Sequence, residues 1–202
     1  MSKVIDLRAY AASASATADW LTGRAEPVFS DAGALVTAFV PTGEGRVISM
    51  PADEFVIALS GELAFRGSGG TAVIGVGQSA VLPAGVSFEW RARPGTLAVV
   101  MACHTTSIRA MDIVPVDIAA PLAPSNPPLA ELLVGPTPSC RNHADFRSAN
   151  GELVCGTWDS TPYHRRPMVY RHIELMHLLE GAVTLEDSGG LATFSRGDTL
   201  LC

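Results

Sequence analysis

Residues 54–82 recur at 174–202 without a gap, at a constant offset of 120. Glu54, Leu59, Gly61, Ser68, Gly69, Gly70, Ala72 and Gly77 return as Glu174, Leu179, Gly181, Ser188, Gly189, Gly190, Ala192 and Gly197. That is eight identities in 29 positions, where ordinary composition yields roughly two by chance. In both copies a Ser-Gly-Gly turn separates apolar runs, and the flanking apolar positions also correspond, Leu63 with Val183 and Phe65 with Leu185. A chain built this way must satisfy one β-rich plan twice, so each copy can be read against the other.

The punctuation of the chain specifies that plan. From Ala34 to Cys103 short apolar runs (ALVTAFV, EFVIAL, TAVIGV, TLAVVMAC) alternate with Gly and Pro. Turn signals every 8–12 residues or so are the mark of an antiparallel sandwich or barrel. Half of the 14 prolines then fall between Pro115 and Pro138, a density that cannot lie inside a sheet. The expected organisation is a flexible or weakly helical lead-in over 1–29, a first β unit over 30–114, a Pro-rich linker over 115–140 and a second β unit over 141–202. Within the linker, Leu129–Val134 has room for a turn or two of helix. A length of 202 residues suits two domains of about 100 residues each.

Several function classes drop out on composition. Fourteen basic residues against twenty acidic ones leave a net charge of −6, and Lys3 is the only lysine. Electrostatic binding to nucleic acid or to an anionic membrane is therefore not expected, and Arg165-Arg166 reads as a solvated loop. No apolar run approaches the roughly 20 residues of a membrane span, and charges interrupt the N-terminus before a secretory core could form. The cysteines (103, 140, 155 and 202) are scattered without a CxxC, so they read as reduced thiols of a cytoplasmic protein. No cofactor motif is present; the GxG at 75–77 lies between strands and opens no helix.

The glycine, proline and glutamate positions resemble those of the cupin superfamily. Its first motif places a glutamate seven positions before a glycine, with histidines four and six positions before that glutamate. Its second motif runs Gly, five residues, Pro, one residue, Gly, two residues, His. The first unit fits this frame with Glu54 and Gly61, then Gly77, Pro83 and Gly85; the second supplies Glu174, Gly181 and Gly197. The likeness is nearest to two-domain cupins grouped with ethanolamine-utilisation and ureidoglycine aminohydrolase proteins. It implies an all-β fold of two tandem jelly-roll barrels, the second incomplete at the C-terminus of this sequence.

The positions that would carry chemistry depart from that pattern. Ile48, Met50 and Phe88 stand where the first unit would have histidines, so only Glu54 remains of four ligand positions. A first-row divalent ion needs several N, O or S donors converging on one point, so the first barrel is expected to be metal-free. Buried without a cation, Glu54 would have a raised pKa. Phe88 and Trp90 alternate on one strand and would face inward beside Met50 and Glu54, forming an aromatic pocket with one carboxylate suited to a small organic molecule; packing of the same side chains as core is the alternative. In the second unit Met168 and Tyr170 occupy the histidine positions. Strand alternation would put Met168, Tyr170, His172 and Glu174 on the barrel-facing side and His177 on the other. A His172–Glu174 pair could be simply hydrogen-bonded, could act as acid and base, or could form part of a metal site.

Cys202 is the counterpart of Leu82, so the counterpart of Pro83–Cys103 falls beyond it. The expectation is that the natural chain continues past residue 202, with gap-filling by another subunit as the alternative. Functionally, the residues point to a metal-free bicupin that binds a small organic ligand or metabolite and forms a homodimer. The competing readings are a metal-dependent hydrolase or isomerase with its site in the C-terminal barrel, and a purely structural dimer partner.

Overall fold

The computed structural model describes residues 4–103, 112–168 and 172–202. By internal contacts the chain falls into two units, one of residues 6–116 with 146–155, the other of residues 1–5, 117–145 and 156–202. Strands dominate both.

The first unit is two sheets folded face to face. Its strands are β1 (Ala34–Pro41), β2 (Glu44–Val47), β3 (Asp53–Ser60), β4 (Glu62–Gly67), β5 (Gly70–Gly75), β6 (Ser79–Leu82), β7 (Phe88–Ala92) and β8 (Leu97–Cys103). The larger, seven-stranded sheet runs β6-β3-β8-β1, with short edge pieces at 114–115, 16–17 and 29–30; the smaller runs β2-β7-β4-β5. Pro115 sits on the outermost piece, paired with Ala80, where a missing N–H costs no ladder bond.

The period-2 pattern decides which side chains face in. On β7 Phe88, Trp90 and Ala92 are buried while Glu89 and Arg91 face solvent. From the larger sheet Phe39, Val56, Ala58, Leu82 and Val100 meet Leu63, Phe65, Ile74, Phe88 and Trp90 of the smaller in one core. Central strand β8 is buried along most of its length because helix α1 (Leu7–Ala11) lies over β8 and β1, burying Leu7 and Ala11. Asp6 caps that helix, its carboxylate accepting from the amides of Arg8 and Ala9 at 2.9 and 3.0 Å. Residues 6–29, part of the stretch expected to be a flexible or weakly helical lead-in, contain this short helix and belong to the first unit.

In the other unit β9 (Cys140–Arg147) pairs with the piece at 123–125 and with β10 (Val154–Ser160), two strands that run on into the first unit. Next come β11 (Leu175–His177), β12 (Ala182–Asp187), β13 (Gly190–Ser195) and β14 (Thr199–Leu201). The helical turn expected within 129–134 is a single 3-10 turn, Ala130–Leu132.

The repeat holds down to single hydrogen bonds. Hairpin β12–β13 occupies the β4–β5 positions shifted by 120. Gly77 N donates to Ala58 O at 2.8 Å, as Gly197 N does to Leu178 O. The Gln78 side chain accepts from Gly75 N at 2.8 Å, and Asp198 accepts from Ser195 N at 2.7 Å. Gly61 and Gly181 both take φ 71°, a left-handed conformation that favours glycine.

Their surroundings differ, and so should the effect of substitution. A Cβ at Gly61 would meet the Thr96 side-chain oxygen and lie 2.6 Å from Thr96 Cα, whereas at Gly181 nothing stands within 4 Å. Thr96 cannot yield, since its hydroxyl bonds the backbone of Glu62 and Arg93. Gly181→Ala should therefore cost about 1–2 kcal/mol of backbone strain, and Gly61→Ala distinctly more because a buried clash is added. Thermal denaturation of the two variants side by side checks this; equal losses would contradict it.

Candidate functional site

The interior between the two sheets of the first unit is filled by a loop of its own chain. Asp19 organises that loop, its carboxylate accepting from Leu21 N at 2.8 Å and Thr22 N at 3.0 Å. Those bonds hold the Asp19 carboxyl below its ordinary pKa. Gly23 takes φ 70° against the Thr17 side chain, and the turn drives Trp20 between the sheets, where it is 1% exposed. Four rings surround the indole. Phe39, Phe65 and Phe88 present edges or faces at 84–87° with centroids 5.0, 5.2 and 6.0 Å away, and Trp90 lies tilted at 5.7 Å. These are favoured quadrupole geometries. Gly45, opposite Trp90 in register, leaves room for that ring: a Cβ there would come within 2.9 Å of the indole nitrogen.

Glu54 closes the arrangement. Trp20 Nε1 donates to Glu54 Oε1 at 2.9 Å. Arg24 Nη1 donates to Oε2 at 2.7 Å and Nη2 to Oε1 at 3.0 Å, the two-pronged fit of a planar guanidinium on a carboxylate. Side-chain exposures of 12% for Arg24 and 3% for Glu54 make this a buried ion pair. Arg24 also donates to Trp20 O from Nε and Nη2 and lies 5.0 Å above the Phe39 ring. The carboxylate that sequence left without a partner has an internal cation.

Met50, Glu54, Phe88 and Trp90 do face one interior, as their spacing predicts, but each is only 2–3% exposed and the space between them belongs to Trp20. Met50, Phe88 and Trp90 pack with Trp20 as core, the alternative to an aromatic cavity, and of the four only Phe88 also borders the open depression described below. Sequence reasoning missed Trp20 and Arg24, and also Asp53, whose buried carboxylate accepts from Ala84 N at 2.7 Å and anchors the Pro83-Ala84-Gly85 turn. The available signals were the Asp19-x-x-Thr22 turn and the chemical need of an inward Glu54 for a cation.

The second unit assembles less. No strand forms over the described residues 172–174, so the alternation expected for 168–174 does not hold there. The same is true in the first unit, where β3 begins only at Asp53 and Ile48 is 72% exposed. Met168 is half-buried and its sulfur accepts from Arg165 Nη1 at 3.0 Å. His172 is exposed and Glu174 half-buried, and Glu174 exchanges backbone bonds with Cys202 at 2.9 and 3.0 Å. Tyr170, like His104, lies outside the described residues. His177 Nδ1 is 2.9 Å from the buried Thr199 hydroxyl. Among the described residues no group of three or more His, Cys, Asp or Glu side chains is placed to hold a metal ion, and no helix is long and apolar enough to cross a membrane.

An open depression of about 780 Å³ lies on the first unit beside the filled interior. Arg46 and Arg66 flank Glu89 across the sheet, Ser68 donates to Asp112 at 3.2 Å, and Phe88 and Val86 supply the apolar part of the lining.

No family model and no curated protein matches the chain. Among solved structures it is similar to a protein of unknown function from Pseudomonas syringae pv. tomato that belongs to the DUF861 family. The TM-score is 0.84 at 27% identity, over 91% of this chain and 79% of that one. A cupin 2 conserved barrel domain protein from Leptotrichia buccalis aligns over 99% of this chain and 85% of its own, with TM-score 0.49 at 10% identity. A cupin-2 domain containing protein from Shewanella frigidimarina covers 42% of this chain and 78% of its own, with TM-score 0.35 at 16% identity. The chain thus has a nearly all-β fold, shared over most of its length with the DUF861-family protein.

Proposed function

We propose that this protein is a metal-free bicupin that binds a small organic ligand and carries no metal-dependent catalytic centre in its first barrel. One observation carries the reading: Arg24 and Trp20 satisfy both oxygens of Glu54, the carboxylate that meets the aromatic core. A divalent cation there would have to displace a bidentate guanidinium and would then find Met50, Phe88 and Trp90 where it needs donors. With the interior filled, a ligand finds room in the depression beside Phe88, where Arg46 and Ser68 offer polar contacts. The cytoplasmic location and homodimeric state stay with this proposal.

The second reading, hydrolase or isomerase chemistry at His172 and Glu174, draws no support from their placement, since one is exposed and the other only half-buried.

Protein purified without a metal-affinity tag is expected to carry well under one equivalent of Mn, Fe, Ni or Zn per chain by elemental analysis. A thermal-shift screen of small metabolites is expected to yield a stabilising compound whose effect Arg46→Ala diminishes. Stoichiometric metal, or a screen in which no compound stabilises the protein, overturns the proposal.

A further inference from the structure

The walls around Trp20 constitute a recognition surface in their own right. Phe39, Phe65, Phe88 and Trp90 come from strands of both sheets, and the indole they enclose meets three of them edge-on. At one end of the enclosure stands a carboxylate that is 2% exposed. Rings set about a flat group, with an anion at the rim, are the chemistry that selects an aromatic body bearing a positive charge. The occupant matches that description in both parts: an indole in the cage and a guanidinium on the carboxylate.

That occupant is not part of the barrel's strand framework. It is a self-bonded loop, closed by Asp19 and Thr17. Backbone bonds tie its ends to β1 at Val40 N to Ser15 O, 3.0 Å, and Ala25 N to Ala38 O, 2.8 Å. Thr42 N donates to Thr17 O at 2.8 Å as a further tie, and between Thr17 and Ala25 the described side chains that reach the interior are Trp20 and Arg24.

We infer that the first barrel is a binding site for a flat aromatic cation, and that the loop over residues 19–24 occupies it in cis as a built-in ligand. The inference rests on the metal-free reading of the same barrel. Being covalently attached, the loop acts at a high effective concentration, so a free aryl cation competes poorly against the intact chain.

Removing the loop's two side chains should expose the site. Indole is expected to raise the melting temperature of Trp20→Gly saturably and to leave the wild-type protein unshifted. In Trp20→Gly/Arg24→Ala, tryptamine should bind at least tenfold more tightly than indole-3-acetate, which has a similar shape and the opposite charge. Adding Glu54→Gln should abolish that preference. Trp20→Phe serves as the folded reference for a cage still closed. If the double variant does not fold, the single Trp20→Gly variant decides through indole alone. No saturable stabilisation by indole, or equal affinity for the two indole derivatives, overturns the inference. Metal content measured on the same samples separates the two readings: failure with metal absent sinks only the built-in ligand, whereas bound metal in the wild-type protein sinks the metal-free barrel.

Discussion

Arg24→Ala is expected to destabilise the first unit by about 3–5 kcal/mol, the usual consequence of leaving one member of a buried ion pair without its partner. For a unit of this size that corresponds to a fall in melting temperature of roughly 10 °C or more. The cause is an orphaned charge more than a lost attraction. Glu54 would keep the single N–H of Trp20 and lose both prongs of the guanidinium. A second substitution exposes this mechanism. Glu54→Gln in the Arg24→Ala background removes the charge and keeps an acceptor for the indole, and it should recover a large part of the loss. Replacing the pair together, with Arg24→Met and Glu54→Leu, should come close to wild type, because apolar side chains of similar volume avoid the desolvation that the pair must offset. Denaturant titration of wild type, Arg24→Ala, Glu54→Gln and the Arg24→Ala/Glu54→Gln double variant forms a double-mutant cycle, with Arg24→Met/Glu54→Leu measured beside it. An Arg24→Ala variant as stable as wild type would show that water reaches Glu54.

Trp20→Ala should cost about as much, roughly 3–5 kcal/mol, the range for truncating a large buried aromatic side chain. Two contributions add. The transfer and cavity terms act on an indole that is 1% exposed, and the ring contacts, three of them edge-on, are lost with it. Trp20→Phe should fall between the two proteins, since it keeps a ring in the cage and gives up the N–H that meets Glu54. Melting curves rank the three. The order wild type, Phe, Ala is expected, and a near-neutral Trp20→Ala would mean that the walls collapse to fill the space.

Much of the fold was legible because its signals are local. Gly61, Gly77, Gly181 and Gly197 all take positive φ, and each marks a turn that the repeat had already flagged. The alternation of Phe88 and Trp90 along one strand predicts both inside, as observed. Glu54 and Met50 are placed beside them by the likeness to the cupin motif. What the sequence hid is the partner of those side chains. Trp20 and Arg24 sit in a stretch with neither period 2 nor period 3.6, and the contact they make spans 30 residues or more of chain. Pattern reasoning sees the neighbours along a strand; it does not see which distant loop enters the space they enclose. At 172–174 the alternation fails for another reason: these residues precede β11, as 48–52 precede β3 in the first copy, and neither stretch is a strand.

The order in which the pieces leave the ribosome follows from the loop's place in the chain. Trp20 and Arg24 are synthesised before every wall strand, so the nascent polypeptide carries an exposed indole and an unmatched guanidinium until Trp90 has emerged. Translation begun downstream of Arg24, or proteolysis just after it, would deliver walls closing on nothing, with the Glu54 carboxylate left unpaired at one end. For this protein, trimming the N-terminus is a lesion in the core of the first unit.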